Sequence, residues 1–282
     1  MTVIYGMSDT EYRKVDALSQ SMTKLLERSP AHFKYAADHP DRPSGFAKSL
    51  FFGQVVHCAT LEPWAFDARY IIAPEADKRS REWREFVEYC EQMQRLPCTK
   101  EDRAAAFACA ESVKAHPEVG PLFATGHSEV SFFWTDQRTG VECKGRIDRV
   151  HQIVDRAFVL DLKSTDDAGR EAFRRSVVNY AYHRQADWYE DGFAQASGLQ
   201  VSPMLFVVVE KTPPYACAAY TLDRWFMAQA RKTNHELRSK YAFCLRTDTW
   251  PGYDSSITDL EAPRWALDDE LRELQREEEY AS

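Results

Sequence analysis

The chain has 282 residues, enough for one large domain with a full core or two small ones. Hydrophobic residues make up 44% and charged residues 28%, the balance of a globular protein, and no apolar run approaches the roughly 20 residues of a membrane helix. The formal charge of −8 argues against a uniformly basic nucleic-acid binder, but residues 259–282 carry −6 of it and leave −2 for the rest, so charge neither supports nor excludes DNA.

MTVIYGMSDTEYRK lacks the apolar core of a signal peptide. The seven cysteines (58, 90, 98, 109, 143, 217, 244) are scattered and form no CxxC pair. That pattern points to a reducing, cytoplasmic setting and away from a disulfide framework, a zinc ribbon or an iron–sulfur cluster.

Residues 8–43 read as a short helix followed by a better one. Ser19 or Ser21 can cap it, Leu25, Leu26 and Phe33 form its apolar side, and Pro30 marks a break or a fresh start. GFAKSLFFGQVVHCATLE (45–62) is an apolar helix ended by Pro63. Phe51, Val55 and Cys58 make one stripe, and His57 lies beside it. Two helices with charged faces follow at 78–95 and 100–115, then the loop PLFATGHS.

Three strands come next. SEVSFFW and VECKGRIDRV alternate across the turn DQRTG, and FVLDLKS follows a second connection, HQIVDRA. Residues 167–178 and 180–197 are helical, the latter with Gly198 as its stop. PMLFVVVE (203–210) suits a strand buried on both faces, and YACAAYTL pairs back on it. A long helix spans about 223–246, then an extended segment, then an acidic helix, DDELRELQREEEY. The order is α/β, with a mixed central sheet flanked by helices. One domain is expected: a mainly helical part over 1–120, a core over 121–246 and a tail over 247–282.

The chemistry gathers on the three strands. A strand repeats every two residues, so Asp161 and Lys163 share one face while Leu160 and Leu162 share the other. If the hairpin brings Asp148 beside Asp161, two carboxylates and an ammonium converge. Side-by-side carboxylates repel unless a divalent cation neutralises them. Such a site suits phosphodiester hydrolysis, with Lys163 holding or deprotonating the attacking water or neutralising charge, and the Leu162 carbonyl as a further oxygen donor. An Asp-x-Lys on a strand is also an ordinary solvated face. Arg146 shares the Asp148 face by parity, and Glu142 and Lys144 do as well.

GRIDRV followed by DLKST resembles the nuclease core of the PD-(D/E)xK superfamily, in its RecB-like branch. Glu129 in SEVSF, Gln185 and Tyr189 in QADWY, and His57 in GQVVH stand where that branch carries a glutamate, a Q-x-x-x-Y helix and a metal-binding histidine. LSQSMTKLLERSPAHF, FGQVVHCATLEP and WPGYDSS are similar to the RecE-type exonucleases (exonuclease VIII) over about residues 15–267.

The resemblance implies a PD-(D/E)xK core with His57, Asp148, Asp161 and the Leu162 carbonyl as metal ligands. It implies Lys163 as the residue that positions water, with Glu129 near the metal. Gln185 and Tyr189 would touch the DNA backbone or brace the site, and Arg146 is a further DNA-binding candidate. The implied cofactor is Mg²⁺, with Mn²⁺ able to substitute. The implied reaction is 5′→3′ digestion of double-stranded DNA ends to leave 3′ single-stranded tails. The implied partners are a RecT-type annealing protein and further copies of the chain in a ring, typically a tetramer, in a phage or prophage recombination system. Two other readings stay open: a structure-specific endonuclease of the same fold, and a catalytically silent DNA-end-binding module. His57 also suits a core histidine, and Tyr189 and Gln185 suit simple packing.

Overall fold

The structure, a computed structural model, describes residues 1–39, 48–260 and 262–263. By its internal contacts the chain divides into Met1–Trp250 and Pro251–Ser282. The expected acidic helix lies outside the described residues, and the described residues beyond Pro251 form no helix or strand.

The elements of the larger unit are, in order, β1 (Thr2–Ile4), α1 (Asp9–Lys14), β2 (Leu18–Ser19), α2 (Gln20–Arg28), α3 (Pro30–Asp38), α4 (Lys48–Leu61) and α5 (Phe66–Arg69). Next come β3 (Tyr70–Ile72), α6 (Arg81–Gln92), β4 (Leu96–Cys98), α7 (Lys100–Ala115) and α8 (Gly120–Ala124). The core strands follow as β5 (His127–Thr135), β6 (Glu142–Ile153) and β7 (Arg156–Thr165). The chain then runs through α9 (Arg170–Asn179), α10 (Tyr182–Ser197), β8 (Gln200–Val201), β9 (Leu205–Glu210), β10 (Cys217–Tyr220) and α11 (Arg224–Thr247).

The central sheet has the order β1-β5-β6-β7-β9-β10, with β2 added beside β6 and β8 beside β7. β5, β6 and β7 form an antiparallel meander, and β9 returns parallel to β7 after the α9–α10 crossover. A mixed sheet with helices on both faces is the expected α/β architecture.

Alternation along the strands divides the core in two. Phe132, Trp134, Ile147, Val159, Phe206 and Val208 face α10 and α11, around Trp188 and Phe193. Leu160, Leu162, Val207 and Val209 face α4 and α7, around Val55, Cys58 and Cys109. β9 is thus apolar on both sides, which is why it reads as an uninterrupted hydrophobic run. Close packing fixes two glycines. A Cβ at Gly145 would lie 2.2 Å from the Phe132 ring, and one at Gly192 would lie 2.5 Å from the Trp134 ring.

The elements differ from the sequence reading at three points and agree with it at Pro30. The strands β1, β2, β3 and β4 are two or three residues long, too short to show a period. α2 ends at Arg28, and Pro30 opens α3 at its first helical position with Ser29 as the cap. Leu26 is fully buried but Leu25 is 37% exposed, because successive residues lie about 100° apart on a helix. β3 and β4 pair in parallel as a separate two-stranded sheet.

Candidate metal centre

The site begins where the β6–β7 ladder opens. Their pairing runs from Ile153↔Arg156 to Arg149↔Leu160. Beyond it, the N–H of Leu162 donates to Asp148 Oδ2 at 2.8 Å, and the Leu162 carbonyl accepts from His57 Nε2 at 2.7 Å. A carboxylate and an imidazole thus satisfy a backbone unit that has lost its neighbouring strand.

The carbonyl can only accept, so His57 Nε2 carries the proton of that bond. In the neutral ring, Nδ1 then holds a lone pair facing Asp148 Oδ2 3.7 Å away. Glu129 joins from β5. Its backbone is left-handed, with φ +52°, between the pairs Ser128↔Arg149 and Val130↔Ile147. Such a conformation costs a side chain other than glycine about 1 kcal/mol or more, and here it lies at the point of β5 opposite Asp148. One donor atom from each of His57, Glu129 and Asp148 fits within 4.8 Å of the others.

The electrostatics match a place for positive charge. Burial, and then the charge of Asp148, push the Glu129 carboxyl up to about 7, only partly offset by His57 and Arg146. Two carboxylates and an imidazole lone pair facing one another form a donor set, two hard oxygens and one borderline nitrogen, of the kind that holds a divalent cation. His57, Glu129, Asp148 and the Leu162 carbonyl are the groups that would hold it.

Asp161 lies beside this cluster and is turned from it. Its Oδ1 accepts from Gln185 Nε2 at 2.6 Å, and its Oδ2 pairs with Lys163 Nζ. Its carboxyl is buried and pushed upward, first by burial and also by Asp148, with Lys163 opposing. Burial works against the Lys163 ammonium, but Asp161 and Asp148 outweigh it and raise the amine above its ordinary value. That ammonium sits 4.7 Å over the Tyr182 ring. Tyr189 is half-buried, packs edge-on against Phe132 and lies one turn from Gln185 on α10.

The cluster opens into a cleft of about 1150 Å³ whose lining includes His57, Glu129, Lys163, Arg69 and Arg13. The structure therefore brings together His57, Glu129, Asp148, Asp161, Lys163 and Gln185, with Tyr189 one step behind. Arg146 lines the cleft, but most of its donors are committed. Nε donates to Ser131 Oγ, Nη2 to the carbonyls of Met7 and Ser8, and Nη1 faces Asp9. Its geometry is that of a brace for the N-terminal segment, and parity alone did not reveal this. Lys144 is also enclosed, and Glu142 is exposed.

Sequence reasoning missed Tyr182, Glu62 and Arg69. Tyr182, Gln185 and Tyr189 are spaced i, i+3 and i+7, one stripe of α10, so that signal was present. Glu62 and Arg69 form an ion pair at 2.5 Å across a turn, and no sequence period marks such a pair.

Residues 19–260 match the model of a family described as a PDDEXK-like domain of unknown function (DUF3799). The chain belongs to this family. Its fold is that of the PD-(D/E)xK nuclease superfamily, which fits the open β6–β7 edge and the acidic cluster on it. A crystal structure of a candidate exonuclease from Eubacterium rectale is similar over 85% of each chain, with 13% identity and a TM-score of 0.56, and so shares the fold. SSO0001, with 13% identity over 79% of this chain and 77% of that one, has a TM-score of 0.37. No curated protein matches the chain. Among the described residues no helix is long and apolar enough to cross a membrane.

Proposed function

We propose that this PDDEXK-like protein is a divalent-metal-dependent exonuclease of the RecE type. It would digest linear double-stranded DNA 5′→3′ and leave 3′ single-stranded tails. The observation that carries the reading is the convergence of Asp148, Glu129 and His57 beside the Asp161–Lys163 pair at an opened sheet edge. The Eubacterium rectale neighbour, described as a candidate exonuclease, is in keeping with exonuclease action, and the 5′→3′ direction comes from the RecE-type resemblance alone. Mg²⁺ is the expected ion, with Mn²⁺ as a substitute.

A bound divalent cation would polarise the scissile phosphate and acidify a water. The chain's own residues do the rest. His57, Asp148, Glu129 and the Leu162 carbonyl would hold the ion, and Asp161, engaged by Gln185 and Lys163, sits beside them. Lys163 has a raised pKa, so it stays an ammonium at neutral pH. It therefore acts by holding the attacking water and neutralising developing charge rather than by taking a proton. Gln185 and Tyr182 fix Asp161 and Lys163 from α10, and Tyr189 backs Gln185. A ring-shaped oligomer and a RecT-type annealing partner complete the reading on the strength of the resemblance, and solution mass tests the first.

Duplexes labelled at the 5′ or the 3′ end, with and without Mg²⁺, test the reaction on wild type and Lys163→Ala. Early release of 5′ label, dependent on Mg²⁺ and lost in the variant, is expected. Cutting of closed circles would instead favour the endonuclease reading. Binding of ends without turnover by the wild type would favour the silent module.

A further inference from the structure

The N-terminal segment carries a feature that the catalytic reading leaves unused. β1 pairs with β5, and the chain then crosses β6 before reaching β2. Two cations from β6 lie beneath the crossing. Lys144, 5% exposed, donates to the carbonyls of Tyr12 at 3.1 Å and Val15 at 2.6 Å. Arg146 donates to those of Met7 and Ser8, both at 3.0 Å. Both cations also sit over the Tyr12 ring, at 5.0 and 4.5 Å.

Enclosing two cations is unfavourable unless their donors are satisfied, and here the carbonyls of one segment satisfy them. That makes the segment a fixed wall rather than a loose arm. Gly6–Asp9 and Arg13 of this wall line the same cleft as Glu129 and Lys163. Arg13 is held by Asp9, its Nε donating to Oδ2 at 2.6 Å, and its side chain is 76% exposed. A guanidinium keeps four further N–H donors in a fork that matches a phosphate.

We propose that the N-terminal segment is a substrate-binding wall whose Arg13 contacts a backbone phosphate of the nucleic acid, and that Arg146 is the positioning residue that places it. The proposal rests on the nuclease reading. It turns Arg146 from a direct phosphate contact into the support of one.

The test is duplex binding by fluorescence anisotropy across a salt series, with Ca²⁺ in place of Mg²⁺ to prevent cleavage. Losing one phosphate contact lowers the slope of log affinity against log salt by about one. The affinity ratio between 50 and 200 mM salt then shrinks about 3.5-fold. Arg13→Ala is expected to show that loss, and Arg146→Met to show the same loss by misplacing Arg13. The double variant is expected to be no worse than either, because the two residues act on one contact. A wild type that binds no duplex overturns the nuclease reading and this one with it. A wild type that binds while Arg13→Ala leaves the slope unchanged overturns this one alone, as do additive losses. Arg13 is exposed, so Arg13→Ala decides the matter even if Arg146→Met fails to fold.

Discussion

Replacing Glu129 by Gln should make the protein more stable at alkaline pH while weakening its site. Glu129 is held in a left-handed backbone beside Asp148, and its carboxyl is pushed from 4.5 up to about 7. The folded chain therefore binds a proton there more tightly than the unfolded chain does. The resulting stabilisation is present below the unfolded value and is lost as pH rises through the folded one. At about 1.4 kcal/mol per unit, and allowing for water in the cleft, the loss is roughly 2–3 kcal/mol. Gln resembles the protonated acid and avoids this loss. Without divalent ions, the variant should match wild type near pH 4 and melt on the order of 5 °C higher at pH 8.5. A divalent cation supplies the missing positive charge, so adding Mg²⁺ at pH 8.5 should raise the wild-type melting temperature more than that of the variant. Calorimetry at the two pH values, with and without the ion, measures all of this. A variant less stable than wild type at pH 8.5, or an equal response to Mg²⁺, would show that Glu129 is not crowded against a second carboxylate.

Other expectations concern single contacts. Asp148→Asn keeps an acceptor for the Leu162 N–H and should abolish activity with little change in stability, whereas Asp148→Ala should also cost about 1–3 kcal/mol in urea unfolding. Gln185→Leu removes the 2.6 Å donor to Asp161 and should lower kcat roughly 10- to 100-fold at unchanged fold, as seen by kinetics and circular dichroism. Gly145→Ala places a Cβ 2.2 Å from the Phe132 ring and should destabilise by about 1–3 kcal/mol by overpacking, read as a lower urea midpoint.

The parts legible in sequence are those with a period. β5, β6 and β7 alternate, β9 is an unbroken apolar run, and α10 and α11 are long enough to show a stripe and a stop. The three-residue strand Thr2–Ile4 has no readable pattern, because it is fixed by the Phe133, Phe132 and Ser131 backbone more than a hundred residues away. The site was legible to the extent that parity and order carry it: Asp161 with Lys163, Asp148 one strand over, His57 on the preceding helix. Parity says which face a side chain takes but not what covers that face. It placed Arg146 beside Asp148 and could not show that residues 7–12 lie over it. It likewise could not show that Asp161 leans to Lys163 and Gln185 while Glu129 takes the place beside Asp148.

Two of the residues proposed to hold the metal also satisfy the backbone where the ladder opens. β7 pairs with β9 from Leu160↔Leu205 to Thr165↔Glu210, while its ladder with β6 ends at Arg149↔Leu160. An opened edge would leave the Leu162 N–H and carbonyl without partners, a cost of about 1–3 kcal/mol for each buried group. Asp148 and His57 remove that cost, and in doing so each is oriented by a bond to the backbone of the same residue, Leu162. Their spacing is therefore set by rigid backbone rather than by two free rotamers, and this gives a centre that must bring like charges together its fixed geometry. Glu129 and Asp161 are left as the strained members, one by its backbone and one by burial, and they respond most to whatever positive charge the centre receives.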